Sequence, residues 1–451
     1  RGELTRHYLV VPTLVTFTAA VIGNILGYTA MKNVVMNMYY HSYSLPPYQT
    51  LWNGDAFILT TVIPCIIITL INLFVIAKAL RLPPLQFLRH DFHMKKKKKA
   101  AKLPNFRFLT RFRLRIILQN IPSYIIMVFG IMFAGLLLFF GLALNPLLSN
   151  YKTEVVNNMI CDYQYVLKAP VETSNDAAEK FCMTTLYESN DEEISAYGIE
   201  NGSEYLSKVN ISKKKNEVVA SQGYLEKYSL KVGDRVTLKD KYGENKYTFK
   251  IVGSYYYPAS LCVFMTNDNF NDVFDKDDGY FTGYFSNEKL KDIDDKYIAT
   301  TITQKDLTTV TDQLDDSMGM SFTLLVGFSV LIYIILMYLL SKLVIEKNEQ
   351  NISMLKILGY SNREASKLYN RATTVVTIGA ILVSVPLIYY VFAGLYHYFM
   401  FEMKGWLPYV VPWYVFVEMA VIGIICYAII YFILQKKINK IKLSQALKSD
   451  D

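Results

Sequence analysis

The chain has 451 residues, 52% of them hydrophobic in type, and a formal net charge of +8 at pH 7. The apolar residues are gathered into six runs, each long enough to cross a bilayer, which takes about 20 mostly apolar residues; this excludes an ordinary soluble globular protein. Five cysteines do not make a disulfide scaffold, and the positive charge is the average of two opposite regions, so it does not indicate nucleic-acid binding.

The runs fall at roughly 8–30, 56–80, 117–144, 321–344, 373–399 and 412–434. The opening Arg1-Gly2-Glu3-Leu4-Thr5-Arg6 lacks an initiator Met and reads as a cytosolic segment of a longer protein. The first run is too long for a signal peptide and has no small-residue cleavage site. Within it, Gly23 and Gly27 are four apart, a spacing that lets helix backbones approach closely; glycines merely tolerated in a membrane helix explain them equally well. Tyr39, Tyr40, Tyr48 and Trp52 in the next loop fit an interfacial aromatic belt. In the second run Pro64 predicts a kink and Asn72 a hydrogen bond to a neighbouring helix.

The connection at 81–116 carries Arg81, Arg89, Lys95 to Lys99, Lys102, Arg107, Arg111, Arg113 and Arg115 against one acid, Asp91. Its lysine run reads as a solvated topogenic linker or as a binder of anionic lipid headgroups. Residues 105–116 interleave Phe and Leu with Arg, which predicts a helix lying along the inner membrane face and bending into the third run near Asn120 and Pro122. Gly130, Ala134, Gly135 and Gly141 suit that run to close helix packing. The loop at 345–371 and the tail are also basic, whereas the insert at 145–320 holds most of the acids. Short basic loops stay in the cytosol, so both termini face in and 145–320 faces out.

The outer insert is the size of one folded domain. Glu217 to Leu238 reads as strand, short helix, turn at Gly233-Asp234 and strand; Tyr247–Gly253 and Leu261–Met265 read as further strands, and helices are expected at 174–187 and 304–318. The domain is therefore α+β. Its oxidising compartment permits a bridge between Cys161 and Cys182, with Cys262 left over, while Cys65 and Cys426 are small apolar residues within spans.

After the fourth run, Ile352, Leu355 and Leu358 share one helical face, Gly359 stands where a helix C-cap belongs, and Ser361 with Glu364 makes a capping box for the next helix. Such a helix either docks in a partner's groove or packs on the membrane face. The tail then repeats the end of the second run. Lys78, Leu80 and Arg81 correspond to Lys437, Asn439 and Lys440. Gln86, Leu88, Arg89 and Asp91 correspond to Gln445, Leu447, Lys448 and Asp450 at one offset. Leu45-Pro46-Pro47-Tyr48 likewise matches Leu407-Pro408-Tyr409. An internal repeat of membrane units points to a transporter-type protein with two related halves, the first incomplete.

Three stretches resemble permeases of the FtsX/MacB type: the segment Glu346–Tyr360, the hairpin around Leu230-Lys231-Val232-Gly233-Asp234-Arg235-Val236, and the tail Gln445-Ala446-Leu447-Lys448. The order of one span, an outer domain and three spans agrees. The resemblance implies an α-helical membrane protein with a MacB-type extracellular domain, divided as follows. Residues 1–91 are the last two spans of a first unit, and 92–116 a linker and interfacial helix. Residues 117–144 form a span, 145–320 the outer domain, and 321–451 a three-span unit. It further implies a permease subunit of an ABC transporter that relays motion to the outer face. Ile352, Leu355, Leu358, Gly359 and Ser361 would couple it to a separate ATPase dimer, which would bind ATP and Mg. Its cargo would be peptides, lipoproteins or lipid-linked compounds, and membrane lipids would surround it. A signalling protein whose outer domain controls a cell-wall enzyme or senses a ligand is the alternative.

The chain has no Walker loop and so no ATP cradle of its own. His7, His41, His90, His93 and His397 are scattered, and the pair His90 and His93 lacks further ligands. No catalytic triad or carboxylate pair stands out. An ion-coupled transporter wants ionisable residues at mid-membrane; Glu418 is the only acid within a predicted run, near its outer end, and Lys78, Lys342 and His397 also lie close to run ends.

Overall fold

The computed structural model describes residues 2–42, 45–79, 104, 108–207, 209, 211–242, 245–439 and 441. The repeated endings at 80–91 and 442–450, the lysine run and the pair His90 and His93 lie outside these. Six helices are long and apolar enough to cross a membrane, and each overlaps one predicted run: Gly2–Asn37, Gly54–Lys78, Ile121–Asn157, Met318–Lys347, Asn362–Glu402 and Trp413–Asn439. The chain divides into two compact units. The first holds 1–135, 316–384 and 420–451, the second 136–315 and 385–419.

In the first unit, α1 (Gly2–Leu26) passes through a π-helical turn (Gly27–Met31) into α2 (Lys32–Ser42). A short α3 (Gly54–Phe57), capped by Asn53, leads through a second π-helical turn (Ile58–Val62) into α4 (Ile63–Ala79). This hairpin departs from expectation in two ways. Nothing lies within 4 Å of where a Cβ would stand on Gly23 or Gly27, so the glycine pair is not a packing seam here. Asn72 donates to Ile68 O of its own helix, and Asn24 instead reaches across, its Nδ2 2.7 Å from Thr61 Oγ1. An amide freed from water by lipid takes whichever acceptor is in reach, its own i−4 carbonyl included.

Helix α5 (Phe108–Gln119) meets α6 (Ile121–Asn157) at the break expected at Asn120. The other long helices are α9 (Gln304–Lys347), α11 (Asn362–Glu402) and α12 (Trp413–Asn439), and the short α10 (Glu349–Ile357) lies between α9 and α11. A buried core of Met127, Ile131, Ala134, Met337, Tyr369, Ile381 and Ile430 unites α6, α9, α11 and α12. Gly130 belongs to this contact, because a Cβ there would stand 2.6 Å from Leu340 Cδ1. Ala134 is buried beside it, 1% exposed.

In the second unit nine strands form one sheet: β1 (Tyr163–Leu167), β2 (Glu179–Tyr187), β3 (Glu193–Ile199), β4 (Glu217–Ser221), β5 (Arg235–Lys239), β6 (Lys246–Tyr255), β7 (Cys262–Thr266), β8 (Gly283–Ser286) and β9 (Ile298–Thr303). β2 pairs with β3 on one edge and with β8 and then β5 on the other, so β2-β3-β7-β4-β6-β5 closes into a ring from which β8, β1 and β9 continue. Closure removes free edges from those six strands. The short helices are α7 (Gln222–Tyr228), between β4 and β5 as the sequence predicts, and α8 (Asn267–Val273). The expected helix at 174–187 is β2 instead. Its Ala and Glu at 177–179 favour helix, but Phe181 to Tyr187 find seven partners on β3, and pairing overrides local propensity.

Neighbouring residues on a strand face opposite sides of the sheet. Phe181 packs with Tyr197, Phe264, Phe285 and Cys161, whereas Cys182 belongs to the cluster of Phe249, Leu238 and Phe270. The expected Cys161–Cys182 bridge is therefore not formed. Both thiols are free, Cys161 Sγ donating to Tyr163 O at 3.3 Å and Cys182 Sγ to Tyr280 O at 3.0 Å. Burial pushes Cys161, Cys182 and Cys262 up to about 12, so they stay protonated and unreactive. N-ethylmaleimide at pH 8 should leave all three unmodified in the native protein and label all three after unfolding without reductant. A requirement for reductant in mass-spectrometric mapping would contradict this.

Gly283 pairs with Val166, and a Cβ there would stand 1.9 Å from Tyr165 O. A backbone atom held on both strand edges cannot yield cheaply. Gly283→Ala should lower the stability of the β-rich domain by on the order of 3 kcal/mol. Thermal unfolding checks this.

Candidate functional site

No cluster of three or more His, Cys, Asp or Glu that could hold a metal ion occurs among the described residues. What the structure offers instead are two places where a short polar segment is clamped at a helix end. One lies in each unit.

In the first unit the clamp is the turn from α9 through α10 to α11. Both Asn120, at the α5–α6 break, and Asn348, at the α9–α10 break, are buried. Each donates to a carbonyl of its own preceding helix, Asn120 to Ile116 O at 2.9 Å and Asn348 to Val344 O at 2.7 Å. They also exchange amide contacts at 3.3 and 3.4 Å. The two side chains thus satisfy each other's buried amides and tie the two helix breaks together. Lys347 Nζ donates to Ser123 Oγ at 2.7 Å, tying the same two bends together again.

α10 ends in a Schellman motif. Gly359 adopts φ +92°, Tyr360 N donates to Leu355 O and Gly359 N to Lys356 O. Then Ser361 and Glu364 form the expected capping box, Ser361 N donating to Glu364 Oε2 at 2.9 Å and Glu364 N to Ser361 Oγ at 3.3 Å. Lys356 Nζ donates to Ile438 O at 2.9 Å and Ile441 O at 3.0 Å. A cation at the carboxyl end of α12 neutralises that helix end, and desolvation holds the Lys356 pKa below the ordinary lysine value.

The exposed apolar face of α10 is not the shared face of Ile352, Leu355 and Leu358 that the spacing predicts. Ile352 is fully buried and Leu355 packs against the membrane core, so neither is offered to a partner. The exposed apolar residues are Met354, Ile357 and Leu358, Leu358 being 70% exposed. They follow i, i+3, i+4 spacing and form one patch. Of the residues singled out for coupling, Leu358 stands on this patch, Gly359 and Ser361 shape its end, and Ile352 and Leu355 anchor it.

In the second unit the clamp holds the segment between α11 and α12. Lys227, in the last turn of α7, has a completely buried side chain. Its ammonium donates to Glu192 Oε2 at 2.9 Å, Met403 O at 2.7 Å and Gly405 O at 3.0 Å. Glu192 Oε1 in turn accepts from Gly405 N at 2.6 Å. Trp406 Nε1 donates to Glu226 Oε2 at 2.9 Å, and Tyr228 packs edge-on against Phe401. All three ammonium protons are used, which is the condition under which a buried ion pair is tolerated. Sequence reading missed Lys227 and Glu192. They are 35 residues apart with no spacing signal, and only the sheet brings them together.

In the same unit the aromatic side chains of Phe139, Tyr389, Phe392, Tyr396, Tyr409 and Phe416 form a continuous set of ring contacts between 5.0 and 6.2 Å. Tyr396 Oη donates to Leu407 O at 3.0 Å, fixing the same connecting segment from its other side.

Long apolar helices joined to a closed β-rich domain define a multi-pass membrane protein. Residues 323–443 match the family model described as FtsX-like permease C-terminal, so this part of the chain is similar to the membrane domain of FtsX-like permeases. A comparison with curated proteins finds none that matches the chain. The matched region includes α10, its Schellman turn and the Lys356 anchor.

Lys227→Met would leave the Glu192 carboxylate buried without its counter-charge, at a cost of about 3–5 kcal/mol. The expected result is a lower unfolding temperature and faster amide hydrogen exchange at Gly405 and Trp406. The double substitution Lys227→Met with Glu192→Leu should recover most of the stability. Unchanged exchange in the single variant would show that the pair does not hold the segment.

Proposed function

We propose that the chain is the mechanical part of an ABC transporter permease. ATP would be hydrolysed, with Mg, by a separate ATPase dimer on the cytosolic side, and the β-rich domain would face outward. The chain's own residues do no chemistry in this scheme; they receive a push and pass it on. The patch of Met354, Ile357 and Leu358 is the receiving surface, an apolar helix face of the kind that seats in a partner's groove. Lys356, Asn348 and the Ser361–Glu364 box keep α10 from rolling, so that force on it is transferred to α9, α11 and α12.

The observation that carries this reading is the Lys227 clamp. α11 runs from the capping box at Ser361 to Glu402 as one helix, and immediately after it the chain is gripped by a buried ion pair of the β-rich domain. A segment held by three ammonium bonds and a carboxylate–amide bond follows a helix displacement rather than absorbing it. Peptides, lipoproteins or lipid-linked compounds at the outer face are the cargo classes that fit a permease with no ionisable pathway through its spans.

Leu358→Asp places a charge on the exposed patch without touching the core. In the intact protein with its ATPase partner, it should reduce cargo-stimulated ATP hydrolysis about tenfold or more and leave the unfolding temperature unchanged. Ile352→Asp should instead lower the unfolding temperature. Normal stimulated hydrolysis in the Leu358 variant would remove the docking role. Stimulated hydrolysis without cargo movement in vesicles would favour a signalling protein over a transporter.

A further inference from the structure

A groove of about 270 Å³ opens between α5 and α10. Phe112, Ile116, Leu355 and Tyr369 give it an apolar floor, and Arg115, Gln119 and Asn351 a polar rim. We propose that this groove binds the headgroup and glycerol region of an anionic phospholipid. The proposal rests on the inward orientation of α10 given above, but not on the ATPase or the cargo.

Charge supplies the first argument. Arg111, Arg113 and Arg115 fall on one short helix, and none pairs with a carboxylate among the described residues. Of the three, Arg115 lines the groove, while Arg113 Nε is buried elsewhere on the helix without a hydrogen-bond partner. Arg111 and Arg115 are one turn apart and present their charges to the same side. An anion next to them is the missing counterpart, and α5 bears no acid that would repel it.

Depth in the membrane supplies the second argument. α5 ends at the Asn120 break, where the apolar span α6 begins, so its arginines stand at the height of lipid phosphates if α6 crosses the bilayer. Beyond the break α6 exposes Ile121, Ile125, Phe129 and Phe133 at intervals of four, a single apolar stripe along which acyl chains can run. A soluble phosphate would use the arginine rim and have no need of the apolar floor or the stripe. A lipid uses all three. Basic pockets between membrane helices on the cytosolic side take such headgroups.

The groove shares Met354 and Leu355 with the coupling helix. A lipid seated in it would brace α10 against α5, so the lipid composition of the inner leaflet would set how firmly the receiving surface is held.

The test is native mass spectrometry of the intact protein in a neutral detergent, without its ATPase partner. The protein is titrated with dioleoylphosphatidylglycerol, with dioleoylphosphatidylcholine and with sodium phosphate. The phosphatidylglycerol should be retained at least fivefold more tightly than the phosphatidylcholine. Arg115→Gln should weaken its retention roughly fivefold, the effect of removing one cation near an anionic headgroup, whereas Arg115→Lys should retain it. Arg115 is exposed, and both variants should unfold at the wild-type temperature. Equal retention of the two lipids, undiminished phosphatidylglycerol binding by Arg115→Gln, or displacement of the lipid by an equal concentration of phosphate would overturn the proposal. None of these readouts involves ATP hydrolysis, so the result stands apart from the fate of the coupling role.

Discussion

Where a helix breaks inside a packed bundle, its buried polar groups cannot turn to water for a partner and have to be closed by the protein itself. Asn120 and Asn348 answer that demand for two breaks at once. Each side-chain amide donates to a carbonyl of its own preceding helix, and the two side chains also hydrogen-bond each other. The position of α10 follows. With its first turn fixed by Asn348 and its last turn by Lys356 and the Schellman turn at Gly359, the helix has no freedom to choose which face it buries. Ile352 goes in and Leu358 stays out.

The Lys227 clamp obeys the same accounting under harsher terms. Desolvating an ammonium and a carboxylate costs several kcal/mol per ion, and apolar residues of similar volume often serve stability as well or better. What an apolar contact lacks is register. Three donor directions aimed at Glu192, Met403 O and Gly405 O accept one placement of the connecting segment, whereas a hydrophobic patch would tolerate sliding. The aromatic stack of Tyr389, Phe392, Tyr396 and Tyr409 adds bulk on the other side of the segment.

The β-rich domain is built to resist deformation. Its six-stranded ring has few free edges, and both faces of β2 are occupied, Phe181 on one and Cys182 on the other, each fully buried. At Gly283 of β8 a Cβ would stand 1.9 Å from Tyr165 O of β1, and the chain there has room for hydrogen only. α7 is tied into the domain through Tyr224, which is buried in one core cluster with Val218, Ala220 and Phe249.

The sequence by itself determined the features that depend on composition and short range. These are six apolar runs, the break at Asn120, the strand–helix–turn–strand of 217–239, the glycine at 359 and the capping box at Ser361, because hydrophobic clustering, turn chemistry and capping act within a few residues. Tertiary structure decided whatever depends on partners distant along the chain. It made a strand of 179–187 because β3 was there to pair with it. It set Cys161 and Cys182 on opposite faces of the sheet, left Gly23 and Gly27 open while Asn24 bridged to Thr61, and turned Ile352 inward. It also brought Lys227 to Glu192 and to the segment after α11. No local pattern encodes such meetings, since a side chain's burial depends on which surface arrives opposite it, and that is known only once the chain has closed on itself.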